Sequence, residues 1–572
     1  MKPRLLLLSA CALLGACRPD REAVLELFSR RESGIDFANT LREDDSVYNA
    51  NDFDYLYNGG GVGVGDLNND GLPDLYFAGN MVSSRLYLNR GGLRFEDVTG
   101  AAGAGTEAWA TGVSMVDINQ DGLLDVYVCV AGKVPEEERA NLLFVNQGVG
   151  PDGTPRFREE ARKYGIADTG YSTHAAFFDY DRDGDLDLYV LTNGLEEFNR
   201  NVIRPRLVNG ESPTTDRLYR NEGDGTFTNV SREAGILVEG YGLGVAVSDL
   251  NQDGWPDVYV SNDFLGNDLV WVNNGDGTFT DRAARYLKHQ SHNAMGNDVA
   301  DYNNDGLVDI AVVDMLPEDN ERQKMMVSGG NYDRFHMALE MGYQPQYVRN
   351  TLQLNNGPGP DGEPRFSEVG QMAGVYATDW SWAPLFADFD NDGLKDLFVS
   401  NGYRRDVTNL DYIQYSQEAS QMGDPAERKR SLMKALRKLP EVRVHNYVFR
   451  NNGDLTFADR SLDWGMEDAS FANGAAYADL DGDGDLDLVT NNLDEPASVY
   501  ENRSRREGGN GYVRVILRGP ARNRGGYGAR VVARAGGRLQ LLESSPYRGY
   551  KSTVDAGLHF GLGPAAKVDS LE

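Results

Sequence analysis

The 572 residues carry 88 Asp and Glu against 56 Lys and Arg, a formal net charge of −32. A hydrophobic content of 40% is enough to build cores and excludes global disorder. So acidic a surface repels phosphate backbones and excludes nucleic acid as a partner.

At the N-terminus, Lys2 and Arg4 precede an apolar run over 5–14, then Leu14-Gly15-Ala16-Cys17. A basic start, a short apolar stretch and small residues before a cut describe a secretory signal over 1–16. The run is too short to span a bilayer, which takes about 20 residues as a helix. Leu-Gly-Ala-Cys resembles the bacterial lipobox, which implies cleavage before Cys17, a lipid on its thiol and membrane attachment through residues 17–33 as anchor and tether. Ser9-Ala10-Cys11 is a weaker second candidate. Arg18 rather than Asp follows Cys17; by resemblance to sorted lipoproteins this implies the outer membrane of a Gram-negative bacterium, on its surface or periplasmic face. Of the three cysteines, Cys129 is then the one left as a free thiol, read as a buried small hydrophobe.

From Asp66 a nine-residue pattern, Asp-x-Asp/Asn-x-Asp-Gly-x-x-Asp, recurs seven times, roughly every 70 residues. Hard cations such as calcium take six to eight oxygens, and carboxylates at alternate positions of a tight loop can converge on one centre. Positions one, three, five and nine supply the side-chain donors, and position seven can add a carbonyl. Loop one therefore offers Asp66, Asn68, Asp70 and Asp74, and loop two Asp117, Asn119, Asp121 and Asp125. Loop three offers Asp179, Asp181, Asp183 and Asp187, and loop four Asp249, Asn251, Asp253 and Asp257. Loop five offers Asp301, Asn303, Asp305 and Asp309. Loop six offers Asp388, Asp390, Asp392 and Asp396, and loop seven Asp479, Asp481, Asp483 and Asp487. Position six is always glycine, from Gly71 to Gly484, as a turn with unusual φ requires. Up to seven Ca²⁺ are predicted, which would bring the charge from −32 to −18. Nine residues between expected strands exclude the twelve-residue EF-hand.

Each loop sits in the same surroundings. Small and apolar residues precede it, as in Gly61-Val62-Gly63-Val64; an apolar run follows, as in Val258-Tyr259-Val260. A third strand ends in Asn (Asn89, Asn221, Asn273, Asn451), and a fourth centres on Phe95, Phe157, Phe227, Phe279, Phe366 or Phe457. Four strands per repeat with turn punctuation predict a propeller blade. The repeats resemble the FG-GAP/VCBS type, similar to the calcium-loop blades of integrin α subunits. Tyr57-Asn58-Gly59-Gly60-Gly61-Val62, Asp314-Met315-Leu316-Pro317-Glu318-Asp319 and Asp379-Trp380-Ser381-Trp382 resemble the bacterial branch of the cartilage acidic protein family. The fold expected is all-β: a seven-bladed propeller over 34–505 with calcium loops, plus a small C-terminal β module. Repeat seven lacks a fourth strand after Val499-Tyr500-Glu501-Asn502, and Gly34-Ile35-Asp36-Phe37-Ala38-Asn39 is expected to supply it and seal the ring.

Two insertions interrupt the blades. Residues 317–348 include a helical stretch from Tyr332 to Leu339, and 406–445 include a helix start at Asp424-Pro425-Ala426-Glu427 before a basic amphipathic stretch. They are read as rim decoration or as walls of a ligand site. From Arg503 to Lys551 twelve Lys and Arg face two Glu, which marks a change of domain. Gly528-Ala529-Arg530-Val531 and Leu558-His559-Phe560-Gly561-Leu562-Gly563 resemble the ASPIC/UnbV domain over 510–572. The family form continues with another strand and a Trp-Pro turn, so the module is expected to be truncated. Its arginines are read as docked on the acidic propeller or solvated, or else as binding a polyanion.

Eight residues before each loop stand Asn58, Trp109, Tyr171, Tyr241, Asn293, Trp380 and Phe471. If that strand lines the axis, they ring the channel mouth, with Trp382 beside them. Aromatic and amide groups suit sugar rings and hydroxyls, although aromatic packing that merely plugs the channel is the competing reading. His174 and His292 could reach the channel as bases, yet no nucleophile elbow or phosphate loop accompanies them, and no catalytic residue is nominated. The function expected is a non-catalytic binding or adhesion module for an extracellular glycan or protein. The alternatives are a polysaccharide lyase or glycoside hydrolase on a calcium-rich propeller, and an outer-membrane assembly or uptake component.

Overall fold

The computed structural model describes residues 24–194, 202–326, 332–421, 424–505 and 509–572. The signal over 1–16 and Cys17 lie outside them. Each motif loop joins the inner strand of a sheet to the second. The inner strands are Val62–Gly65, Ala110–Val116, Ser172–Phe178, Gly242–Ser248, Asn297–Ala300, Ser381–Ala387 and Ala472–Ala478. Each leads an antiparallel run of four, so seven such sheets follow along the chain. Successive inner strands pack on one another in chain order, and the seventh packs on the first. That cyclic order is the connectivity of a seven-bladed β-propeller. Its cores lie between neighbouring sheets: Tyr76, Tyr127, Tyr189 and Tyr259, at equivalent places on the second strands, are almost wholly buried.

The seventh sheet is completed by the N-terminus, but not by the segment expected. Leu25–Phe28 pairs antiparallel with Ser498–Asn502, Leu25 opposite Asn502 and Phe28 opposite Val499. Gly34 instead ends a four-residue helix capped by Ser29, and Ala38 and Asn39 make isolated bridges to Pro496 and Leu493. Residues 17–33 are thus not all tether: part of them is a blade strand. Leu25-Glu26-Leu27-Phe28 lacks the Phe-x-Asp/Glu pattern, and an edge strand needs only backbone pairing and one buried face. Leu25 supplies that face.

Both insertions contain helices, Tyr332–Glu340 in the first and Leu410–Gln421 with Pro425–Leu436 in the second. Asp424 precedes Pro425 at the helix start, as anticipated. The C-terminal module pairs Gly511–Val515 with Leu558–Gly563, and Arg530–Ala535 with Arg538–Glu543 and Ser570–Leu571.

The module is not a separate body. It lies on the loop face and sends one hairpin down the axis. Tyr547–Arg548 pairs with Ser552–Thr553, and Thr553 pairs parallel with Gly63 of the first inner strand. Asn297 and Gly549 exchange both backbone hydrogen bonds, at 3.1 and 3.0 Å. The Val113 amide donates to the Lys551 carbonyl at 3.0 Å, and the Ser552 hydroxyl accepts from the Val62 amide at 3.1 Å. Inner strands expose backbone groups to the channel, and the hairpin satisfies them. Gly61 is needed for this approach, since a Cβ there would lie 1.7 Å from the Lys551 carbonyl oxygen.

Candidate functional site

The seven loops share one backbone shape. Position six is glycine with φ between 85° and 97°, and position four is also left-handed, from Asn69 and Gln120 to Asn391 and Gly482. In loops one to six the position-six amide donates to the position-one carboxylate, as from Gly71 to Asp66 at 2.8 Å and from Gly393 to Asp388 at 2.8 Å.

Position nine has a structural task in every blade. Asp74 accepts from the Leu67 amide within its loop at 2.9 Å and from the Asn89 amide at the end of the third strand at 2.8 Å. Asp125, Asp187, Asp257, Asp309, Asp396 and Asp487 repeat this pair of bonds. All seven are fully buried. Desolvation pushes the carboxyls of Asp74 and Asp125 up to about 8 and that of Asp187 to about 9, against the lowering effect of the two amides. A buried carboxylate whose neighbours are other carboxylates lacks a counter-charge.

The remaining donors differ by loop. Where position three is Asn, its amide donates to position five, as from Asn68 to Asp70 at 2.9 Å and from Asn251 to Asp253 at 2.8 Å. The all-Asp loops have no such proton. There the oxygens of Asp179, Asp181 and Asp187, of Asp388, Asp390 and Asp396, and of Asp479, Asp481 and Asp483 lie within 4.8 Å of one another. Among the described residues, one buried Asp179 oxygen has no hydrogen-bond partner. Like charges this close repel, by roughly 4 kcal/mol per pair at 4 Å and an effective dielectric of 20. A convergent, oxygen-only donor set with an unpartnered buried oxygen fits a hard divalent cation. Loop six brings its own cations too: Arg450 reaches Asp390 at 2.6 Å and Asp392 at 2.5 Å.

The basic module covers this face. Arg530 donates to the Gly306 carbonyl at 2.8 Å, Arg538 to that of Asp392 at 2.7 Å, and Asn510 to that of Asp390 at 2.8 Å. Glu543 accepts from Ser248, and His559 meets Asn391 at 2.6 Å. Arg548 is buried against Asp298 at 3.3 Å. Of the two readings of these arginines, docking on the propeller is the one realised by those named here.

At the opposite mouth the expected ring divides. Asn58, Trp109 and Tyr171 line one cleft, together with Phe53, Tyr55, Asn193 and Lys551. Trp109 stacks on Tyr48, centroids 5.8 Å apart, and packs on Phe53 at 5.2 Å. Tyr171 is half-buried under the Arg139 guanidinium, 4.1 Å from its ring centre. Tyr241 lines a neighbouring cleft with Tyr171, Arg139 and Arg204. The other four pack inside. Asn293 donates to Asp314, Trp380 stacks on Tyr403 at 3.6 Å, and Phe471 lies under Arg443. Trp382 donates its indole hydrogen to the Gly402 carbonyl at 2.8 Å and packs against Tyr550. The channel is plugged, and the plug is the C-terminal hairpin rather than the aromatic ring. His174 is sealed beneath it against Tyr547, and burial drives its pKa down to about 3. Burial also lowers His292, against the pull of Asp314. Cys129 is buried as anticipated.

Sequence reading missed the hairpin, and it marked the strand-end asparagines without what they bind. The Asn89 amide group crosses to the Leu480 carbonyl of the adjacent blade at 2.8 Å. Asn146, Asn273, Asn355, Asn451 and Asn502 likewise reach Leu67, Tyr180, Leu250, Tyr302 and Phe389. Asn recurring fifteen or more residues after the loop was the available signal.

The fold is a β-propeller, and the chain carries FG-GAP-like repeats and a C-terminal segment that matches the ASPIC/UnbV domain. The FG-GAP-like repeat profile matches residues 66–128, 207–260 and 249–312, and the ASPIC and UnbV profile matches 519–572. The chain is similar to cartilage acidic protein 1: 25% identical to the human protein over 346 residues, which is 59% of this chain and 41% of that one. It is 25% identical to the Xenopus tropicalis protein over 479 residues, 81% of this chain and 60% of the relative. The chain thus spans less than two thirds of these relatives. Among solved structures, an Agrocybe aegerita lectin that recognises non-reducing terminal N-acetylglucosamine aligns with TM-score 0.35 and 16% identity, over 71% of this chain and 80% of that one.

Proposed function

We propose that this chain is an exported, lipid-anchored, calcium-stiffened binding module that takes a glycan at the open mouth of its propeller without catalysing a reaction on it. The observation that carries the reading is the opposition of the two faces. One is occupied by the acidic loops and the module over them; the other presents a cleft where Asn58, Trp109 and Tyr171 converge. Calcium in the loops would neutralise carboxylates that otherwise repel, and would brace each inner strand against the second. Cys17 would hold the protein on the outer membrane.

Affinity electrophoresis in gels containing acidic or neutral polysaccharides tests the glycan. Retardation that is lost in Trp109→Ala supports binding at the cleft. No retardation on any polymer rejects it, and shortened chains would move the reading to a lyase or hydrolase. Metal analysis after dialysis tests the loops: Asp253→Ala is expected to lose one calcium and to melt lower. Metabolic labelling with a fatty-acid analogue, abolished in Cys17→Ala, tests the anchor.

A further inference from the structure

Among the described residues the buried arginines have ion-pair partners: Arg548 has Asp298, and Arg322 has Asp379 and Asp406. Of the two buried lysines, Lys395 donates to the Asp301 carbonyl with the Asp301 and Asp388 carboxylates near it, and Lys551 has no such carboxylate. Lys551, at the tip of the axial hairpin, is 2% exposed. Its ammonium donates to the carbonyls of Asn58 and Gly59, both at 3.2 Å, and lies 4.7 Å from the Tyr550 ring centre. Among the described residues no carboxylate lies within ion-pairing reach of it. A third ammonium hydrogen is left over. Holding such a charge away from water without a counter-ion is costly.

Asn193 lines the same cleft, 2% exposed, and among the described residues neither its amide nitrogen nor its amide oxygen has a partner. Buried amides are ordinarily satisfied, and an unpaired one costs about 1–3 kcal/mol. The cleft offers about 20 Å³, the space of one or two ordered waters, so only a small group can enter it. Phe53, Tyr55 and Trp109 wall it with apolar surface.

We propose that the C-terminal hairpin completes this site, and that the site takes the carboxylate of an acidic sugar, a uronate, on the Lys551 ammonium and the Asn193 amide. The carboxylate supplies the missing counter-charge. The amide nitrogen donates to one of its oxygens and the amide oxygen accepts from a neighbouring ring hydroxyl; a neutral hexose could satisfy the amide but not the charge of the ammonium. The sugar ring stays outside that space, against the aromatic wall. The C-terminal module is on this account part of the binding machinery, threaded through the propeller to deliver one charge to the far face.

The inference rests on the reading of this mouth as a glycan site. Isothermal titration calorimetry of the full-length mature protein with tetragalacturonate, and with its methyl ester as neutral twin, tests it. The acid is expected to bind at least tenfold tighter than the ester. Lys551→Met is expected to remove that preference, Lys551→Arg to keep part of it, and Asn193→Ala to weaken both ligands. Melting curves of each variant show whether it is folded, and the arginine and Asn193 variants leave a test if Lys551→Met is not. Equal affinity for acid and ester, lost in Trp109→Ala, would overturn the uronate proposal and leave the glycan site standing. Binding of neither would reject both, and an acid preference unchanged in Lys551→Met, or affinities unchanged in Asn193→Ala, would place the acid elsewhere.

Discussion

Asn451 shows how much one side chain does in this ring. Its backbone amide donates to Asp396, its side-chain oxygen accepts from Gly453, and its amide nitrogen reaches the Tyr302 carbonyl in the blade before. Asn451→Ala would leave a buried carbonyl unpaired, at a cost of about 1–3 kcal/mol. Denaturant unfolding should show a midpoint shift of that order, and an unchanged midpoint would mean that the inter-blade bond contributes nothing. Lys551 makes a second residue-scale prediction. Desolvation lowers it to about 7, with the nearby Cys129 thiol opposing, against an unfolded value of about 10.4. A base whose pKa is depressed on folding loses stability as pH falls from its unfolded to its folded pKa. The stability of the wild type relative to Lys551→Met should therefore rise between about pH 7 and pH 10, by up to ~1.4 kcal/mol per unit. A difference independent of pH would show that Lys551 is charged throughout.

Two elements decide whether the ring is sealed and filled. The N-terminal strand Leu25–Phe28 covers the outer edge of the seventh sheet, so removal of residues up to 29 should lower the melting temperature and expose the amides of Ser498–Asn502 to exchange. Unchanged protection there would show that the pairing is dispensable. The hairpin depends on close backbone approach. Gly61→Ala, whose methyl group would collide with the Lys551 carbonyl, should unseat the tip and make 547–553 exchange readily; protection equal to wild type would mean that the inner strand can move aside. The outer strand lay in a segment read as tether because four residues of alternating character carry too little pattern to stand out. The hairpin was invisible for another reason: Tyr547 to Thr553 reads as a polar turn until a channel surrounds it.

For the whole molecule, the module and the propeller share hydrogen bonds on the loop face and along the axis. Scanning calorimetry should therefore show no separate transition for the C-terminal module, and a resolved low-temperature transition lost on deleting 510–572 would contradict this. Cation removal belongs to this scale as well. If the loops hold calcium, chelation should lower the midpoint and loosen the docked arginine strands together with the loops, since Arg530 and Arg538 bind loop carbonyls directly.

The repeat itself determined the blades. Nine residues with glycine at the sixth and acids at alternate positions specify a local turn, and strands on either side follow from local patterning, so the count of sheets and the face that bears the loops were legible in the chain. Local chemistry also marked four residues of the mouth, Asn58, Trp109, Tyr171 and Tyr241, and the basic C-terminal segment. Only the tertiary structure decided what those residues meet. A strand from the N-terminus closes the last blade, asparagines tie each blade to its neighbour, and a hairpin from the far end of the chain fills the axis. These are contacts between segments up to several hundred residues apart, and periodicity along the chain carries information about neighbours in sequence, not about which distant backbone groups are left to be satisfied.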